Sequence, residues 1–88
     1  MKVVAKPIEV VAWFGKSGKI HPVRFRIEND DNSFETIVIG RVLKIDLEKL
    51  TGNYMQVFTC QSSIDAIEKI YEIKFELKSS RWSLHSYY

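Results

Sequence analysis

The sequence predicts an all-β domain, a curled antiparallel meander of five to six strands forming a small barrel or half-barrel. Three observations carry this. From Tyr71 to Lys78 apolar and charged residues alternate without a break, the period of a strand with one buried and one wet face. Turn-forming clusters recur at short intervals, at Gly15–Lys19, Asn29–Ser33, Thr51–Asn53, Ser62–Asp65 and Ser79-Ser80. The 88 residues hold 45% hydrophobic and 27% charged side chains, a composition that folds as one ordinary globular domain, residues 1–88.

In chain order, the first hairpin pairs Ala12 with Val23, which sets Val10 against Phe25 and Ile8 against Ile27 on one side. Trp13 then faces Pro22, Val11 faces Arg24 and Glu9 faces Arg26 on the other. The second hairpin pairs Phe25 with Ile37, Val23 with Ile39, Arg26 with Thr36 and Arg24 with Val38. Val23, Phe25 and Ile27 thus supply the core face in both pairings, and a slip of one residue would turn that set outward. Glu35–Ile45 reads as a third strand with two partly apolar faces, suited to a central position, and Gly40 within it marks a bulge or bend.

Asp46–Gly52 reads as one helical turn near residues 47–51, with Asp46 as cap, Leu47 and Leu50 three apart and Gly52 as stop. Tyr54–Gln61 is a strand, and Ser62–Ile70 is expected to hold a short helical turn opened by Ser62 and Asp65. The last hairpin pairs Leu77 with Trp82, Phe75 with Leu84 and Tyr71 with Tyr88, either closing the sheet against the first strand or offering an edge to another chain. The expected core is Val10, Ala12, Val23, Phe25, Ile27, Ile37, Ile39, Phe58, Ile73, Phe75, Leu77 and Trp82.

No apolar run approaches the roughly 20 residues of a membrane helix, so no membrane partner is expected. The N-terminus lacks a signal-peptide pattern, and the single cysteine, Cys60, precludes an internal disulfide; both point to a cytoplasmic protein. Charge is uneven. Residues 1–26 carry Lys2, Lys6, Lys16, Lys19, Arg24 and Arg26 against Glu9, whereas residues 27–51 carry six acids against three bases. Such asymmetry suits either cross-strand ion pairs or an anionic partner.

Residues that carry chemistry are sparse. Gly15-Lys16-Ser17-Gly18 lacks the spacing of a phosphate-binding loop and precedes a strand, so it reads as a hairpin loop. Cys60, His21 and His85 are too few and scattered for a metal site. Cys60 shares a strand face with Tyr54 and Phe58, which suits a small buried hydrophobe, and Asp30-Asp31 sits in turn chemistry. Neither an enzyme nor a cofactor is expected.

One surface stands out. Trp13, Val11, Pro22, Arg24, Arg26 and Val38 share the outer face of the first three strands, beside a loop carrying Lys16 and Lys19. Rings and cations on a sheet suit single-stranded nucleic acid. An uncovered apolar patch with tryptophan and arginine equally suits a protein partner, including a second copy, and Trp13 could also pack against the C-terminal hairpin. The candidate binding residues are therefore Trp13, Lys16, Lys19, Arg24 and Arg26.

The run Ala12-Trp13-Phe14-Gly15-Lys16-Ser17-Gly18-Lys19-Ile20-His21-Pro22-Val23-Arg24-Phe25-Arg26, with Gly40-Arg41-Val42, resembles small bacterial all-β proteins of unassigned function. The resemblance implies a β fold and the bacterial cytoplasm and brings no site residues. The sequence as a whole predicts a non-catalytic binding module acting through protein–protein contact, with a nucleic-acid-binding barrel as the alternative.

Overall fold

In the computed structural model, backbone is described for residues 2–87 and side chains for residues 5–86. Among them lie seven strands and no helix: β1 (Lys2–Phe14), β2 (Ile20–Glu28), β3 (Phe34–Val38), β4 (Arg41–Leu50), β5 (Asn53–Ile64), β6 (Ile67–Glu76) and β7 (Arg81–Tyr87). They form one antiparallel sheet in the order β3-β2-β1-β7-β6-β5-β4. The all-β class and the curled meander are as the sequence predicts, and the last strand does pair with the first.

The extra strand comes from Gly40. Ile39 N donates to Val23 O at 3.0 Å, while the next residue, Gly40, donates to Gln61 O at 2.9 Å. Adjacent residues are therefore bonded to strands in opposite halves of the sheet, and Glu35–Ile45 is two edge strands rather than one central strand. A Cβ on Gly40 would lie 2.8 Å from Gln61 O, closer than side chains sit, so the crossing requires glycine. Beyond this point a groove of about 410 Å³ separates Lys19–Pro22 from Val42–Ile45, and the sheet is open, not a closed barrel.

Neither expected helical turn forms. β4 runs straight through residues 46–50, and Thr51 and Gly52 make a two-residue turn with φ of 48° and 76°. Ser62–Ile70 likewise becomes the β5–β6 hairpin, turning at Asp65 and Ala66 with φ of 53° and 63°. Two consecutive left-handed residues match the twist of paired strands, so these tight turns override the leucine spacing and the capping pattern.

Two registers differ from expectation. In β1–β2, Glu9↔Arg26, Val10↔Phe25 and Val11↔Arg24 hold, but a bulge follows and Ala12 pairs with Pro22. Val23 is the extra residue and turns outward, while Pro22 is buried. In β6–β7, Phe75 pairs with Trp82 and Ile73 with Leu84. A Ser-Ser two-residue turn would need two left-handed serines; residues 77–80 instead make a four-residue loop with Ser80 alone at positive φ, and Leu77 is left exposed. Tyr71 lies opposite Tyr87; its expected partner, Tyr88, is outside the described residues.

The core gathers on the concave face. Phe58, Cys60, Tyr71, Ile73 and Leu84 are wholly buried, and Ile8, Ile20, Phe25, Ile27, Ile37 and Phe75 complete the cluster. Val10, Ala12, Ile39 and Trp82 pack partly buried against it. Inside, the Tyr71 hydroxyl meets Ser62 Oγ at 2.6 Å, so the most deeply buried phenol is hydrogen-bonded.

Candidate functional site: the outer face of β1, β2 and β3

The pleat sends alternate residues of β1 and β2 outward: Glu9, Val11 and Trp13 from β1, Arg24 and Arg26 from β2. The ladder sets Val11 beside Arg24 and Arg24 beside Val38, making one continuous row across three strands. Trp13 is 57% exposed, Val38 65% and Val11 49%, so the C-terminal hairpin does not cover Trp13. A shallow depression of about 220 Å³ runs between Glu9, Val11, Arg24, Arg26 and Thr36.

The β2 bulge decides what Trp13 meets. Because the register shifts, Trp13 lies opposite His21 instead of Pro22, and the two rings stack at 3.8 Å with an interplanar angle of 12°. Sequence reasoning missed His21 here because nothing in Pro22-Val23 marks a bulge. The adjoining loop is fixed by Gly15 N donating to Lys19 O and Gly18 N to Gly15 O, both at 2.8 Å. This leaves Lys16 and Lys19 exposed at its tip.

The five predicted residues therefore fall on one side of the molecule with different roles. Arg26 is engaged twice: its Nε pairs with Glu9, and its guanidinium lies 4.3 Å from the centre of the Phe34 ring. Phe34, exposed and unforeseen, thereby joins the face. Arg24, Lys16 and Lys19 make no ion pair with any described residue. The basic excess of the first strands is thus partly neutralised, while Arg24 and the loop lysines Lys16 and Lys19 stay unpaired on the side of Trp13.

Elsewhere the titratable groups are structural. Cys60 donates to Phe58 O at 3.6 Å, and burial pushes its thiol up to about 12, so no thiolate is available near neutral pH. Asp31 accepts from Ser33 N at 3.0 Å and from the Ser33 hydroxyl; these bonds hold its carboxyl below the usual range and close the β2–β3 loop. His85 is pushed below its ordinary value by burial and by Lys74, with Glu48 and Glu72 opposing, and its Nε2 meets Ser83 Oγ at 2.7 Å. Among the described residues no three His, Cys, Asp or Glu side chains gather as metal ligands.

No family model, curated protein or solved structure matches the chain.

Proposed function

We propose that this protein is a small non-catalytic binding module that docks a protein partner on the outer face of β1–β3. The observation that carries the reading is the uncovered row Trp13, Val11, Arg24, Val38. Three large side chains there lie about half exposed or more, side by side around a cation with no acid paired to it. Contiguous apolar surface on a small domain is costly to leave in water, and tryptophan with arginine is the usual anchor chemistry of protein interfaces. The unpaired Arg24, Lys16 and Lys19 favour a partner segment that combines apolar and acidic residues.

Selection from a displayed random-peptide library tests this. Enriched peptides should carry acidic and aromatic or aliphatic residues and should lose about tenfold or more in affinity on Trp13→Ala and on Arg24→Glu. Peptides indifferent to both substitutions would contradict the reading.

The Trp13–His21 stack beside three unpaired cations supports a second reading, single-stranded nucleic acid. It predicts oligonucleotide binding that falls steeply with salt and is lost in Trp13→Ala. The pairing of Arg26 with Glu9 and the apolar Val11 and Val38 weigh toward protein.

A further inference from the structure

The outer face of β1–β3 is ordered in rows that run across the strands. Val11, Arg24 and Val38 form one row, and Glu9, Arg26 and Thr36 form the next. The depression of about 220 Å³ lies between these rows, with Glu9, Val11, Arg24, Arg26 and Thr36 around it. Arg24 and Arg26 stand two residues apart on one strand face, roughly 7 Å along β2. Like charges that close repel each other, and Glu9 offsets only one of them. Its carboxylate accepts from Arg26 Nε, while the Arg26 guanidinium rests 4.3 Å from the centre of the Phe34 ring. That ring holds the guanidinium independently of Glu9. Neither the terminal nitrogens of Arg26 nor the Arg24 guanidinium makes a hydrogen bond to a described residue.

The depression thus holds two guanidinium groups, one carboxylate and a hydroxyl, with one positive charge unmatched and several donors unused. We propose that the protein partner anchors here through one aspartate or glutamate side chain, which bridges Arg24 and Arg26 and displaces Glu9 from Arg26. The inference rests on the docking surface proposed above and assigns the point at which that surface reads charge. Both side chains of the Arg26–Glu9 pair are half exposed or more. A pair that open contributes little to stability, so another carboxylate can replace it at small cost. Planar guanidinium groups accept a carboxylate through two parallel hydrogen bonds, and the unused donors of Arg24 and Arg26 supply them. Glu9 is then the residue that sets selectivity, because an incoming acid must take the place of the one already there. Val11 and Val38 flank Arg24 in the next row, so the residue beside the partner's acid, on the Trp13 side, is apolar.

Titration calorimetry with a library-selected peptide carrying one acidic residue tests the exchange. Glu9→Gln keeps the shape and removes the competing charge, so it should tighten binding about threefold or more. Arg26→Gln should weaken binding by a similar factor. Replacing the peptide's acid by its amide should abolish both effects. Trp13→Ala should weaken the peptide without removing the gain from Glu9→Gln. Binding that is weakened by Trp13→Ala yet unimproved by Glu9→Gln overturns the exchange and leaves the docking surface standing. Peptides indifferent to Trp13→Ala and to Arg24→Glu overturn both. A gain from Glu9→Gln seen with a single-stranded oligonucleotide but not with the peptide overturns the acidic side chain as the anchor, in favour of a phosphate.

Discussion

The two halves of this sheet treat their outer faces in opposite ways. Over β4–β6, Lys74 Nζ reaches both carboxylate oxygens of Glu48 at 3.2 Å, in a pair only 16% and 28% exposed. On the same strands Val57 is buried although it points away from the main core. Over β1–β3 the corresponding pair, Arg26 with Glu9, is half exposed or more, and Val11, Trp13 and Val38 stand open beside it. One chain thus roofs an outward valine with long charged side chains in one half and leaves three large apolar side chains bare in the other. The bare face is therefore not an unavoidable result of building a small sheet, which is why we read it as a docking surface.

The largest expected effect tests whether the halves share one core at all. Leu84, wholly buried on β7 between them, should cost about 2–5 kcal/mol when replaced by alanine, read by chemical denaturation. Hydrogen-exchange protection should fall in β2 and β5 together. A loss confined to β4–β7 would mean two separate folding units and would dissolve the comparison. Next, Glu48→Ala should cost about 1–3 kcal/mol, because it strands a partly buried ammonium. Glu9→Ala should cost less than about 1 kcal/mol, the usual value of an exposed pair. Equal costs would show that the two faces are not differently sealed.

A smaller effect follows from His85, half-buried near Lys74 and Glu48. Its folded value lies below the ordinary 6.5, so the unfolded chain binds the proton more readily. Stability should be level above about pH 6.5 and should decline as the pH falls below it, and His85→Gln should flatten that decline. Glu76, held below its ordinary 4.5 first by the Ser79 hydroxyl and then by Asn53, contributes in a lower window; its stabilisation is present above about 4.5 and is lost on further acidification. Smallest of all, Val38→Thr on the bare face should change stability by no more than about 0.5 kcal/mol. A larger loss would show that Val38 is packed, contrary to its 65% exposure.

Much of this fold is legible in period-two alternation. The pairs Val10↔Phe25 and Phe25↔Ile37, and the outward placing of Trp13, Arg24 and Arg26, follow from residue pattern alone, because a slip there would bury charge. What escapes reading has specific causes. Left-handed pairs at Thr51-Gly52 and Asp65-Ala66 convert apparent helical turns into hairpins, and Ala66 carries no sequence signal for that backbone. The bulge at Val23 exchanges the burial of two neighbours and brings His21 under Trp13, through a register shift that no single residue announces. Gly40 signals a bend, but the crossing to the far edge depends on the curl of the whole sheet. The β4 edge is hidden for the same reason, since a strand with two partly apolar faces resembles a central one until its neighbours are known.

Amide chemical-shift mapping with a library-selected peptide tests the docking surface most directly. Shifts should concentrate at Val11, Trp13, His21, Arg24 and Val38, with Val57, Lys74 and His85 undisturbed. Shifts centred on Val57, Lys74 and His85, with the Trp13 row silent, would contradict it.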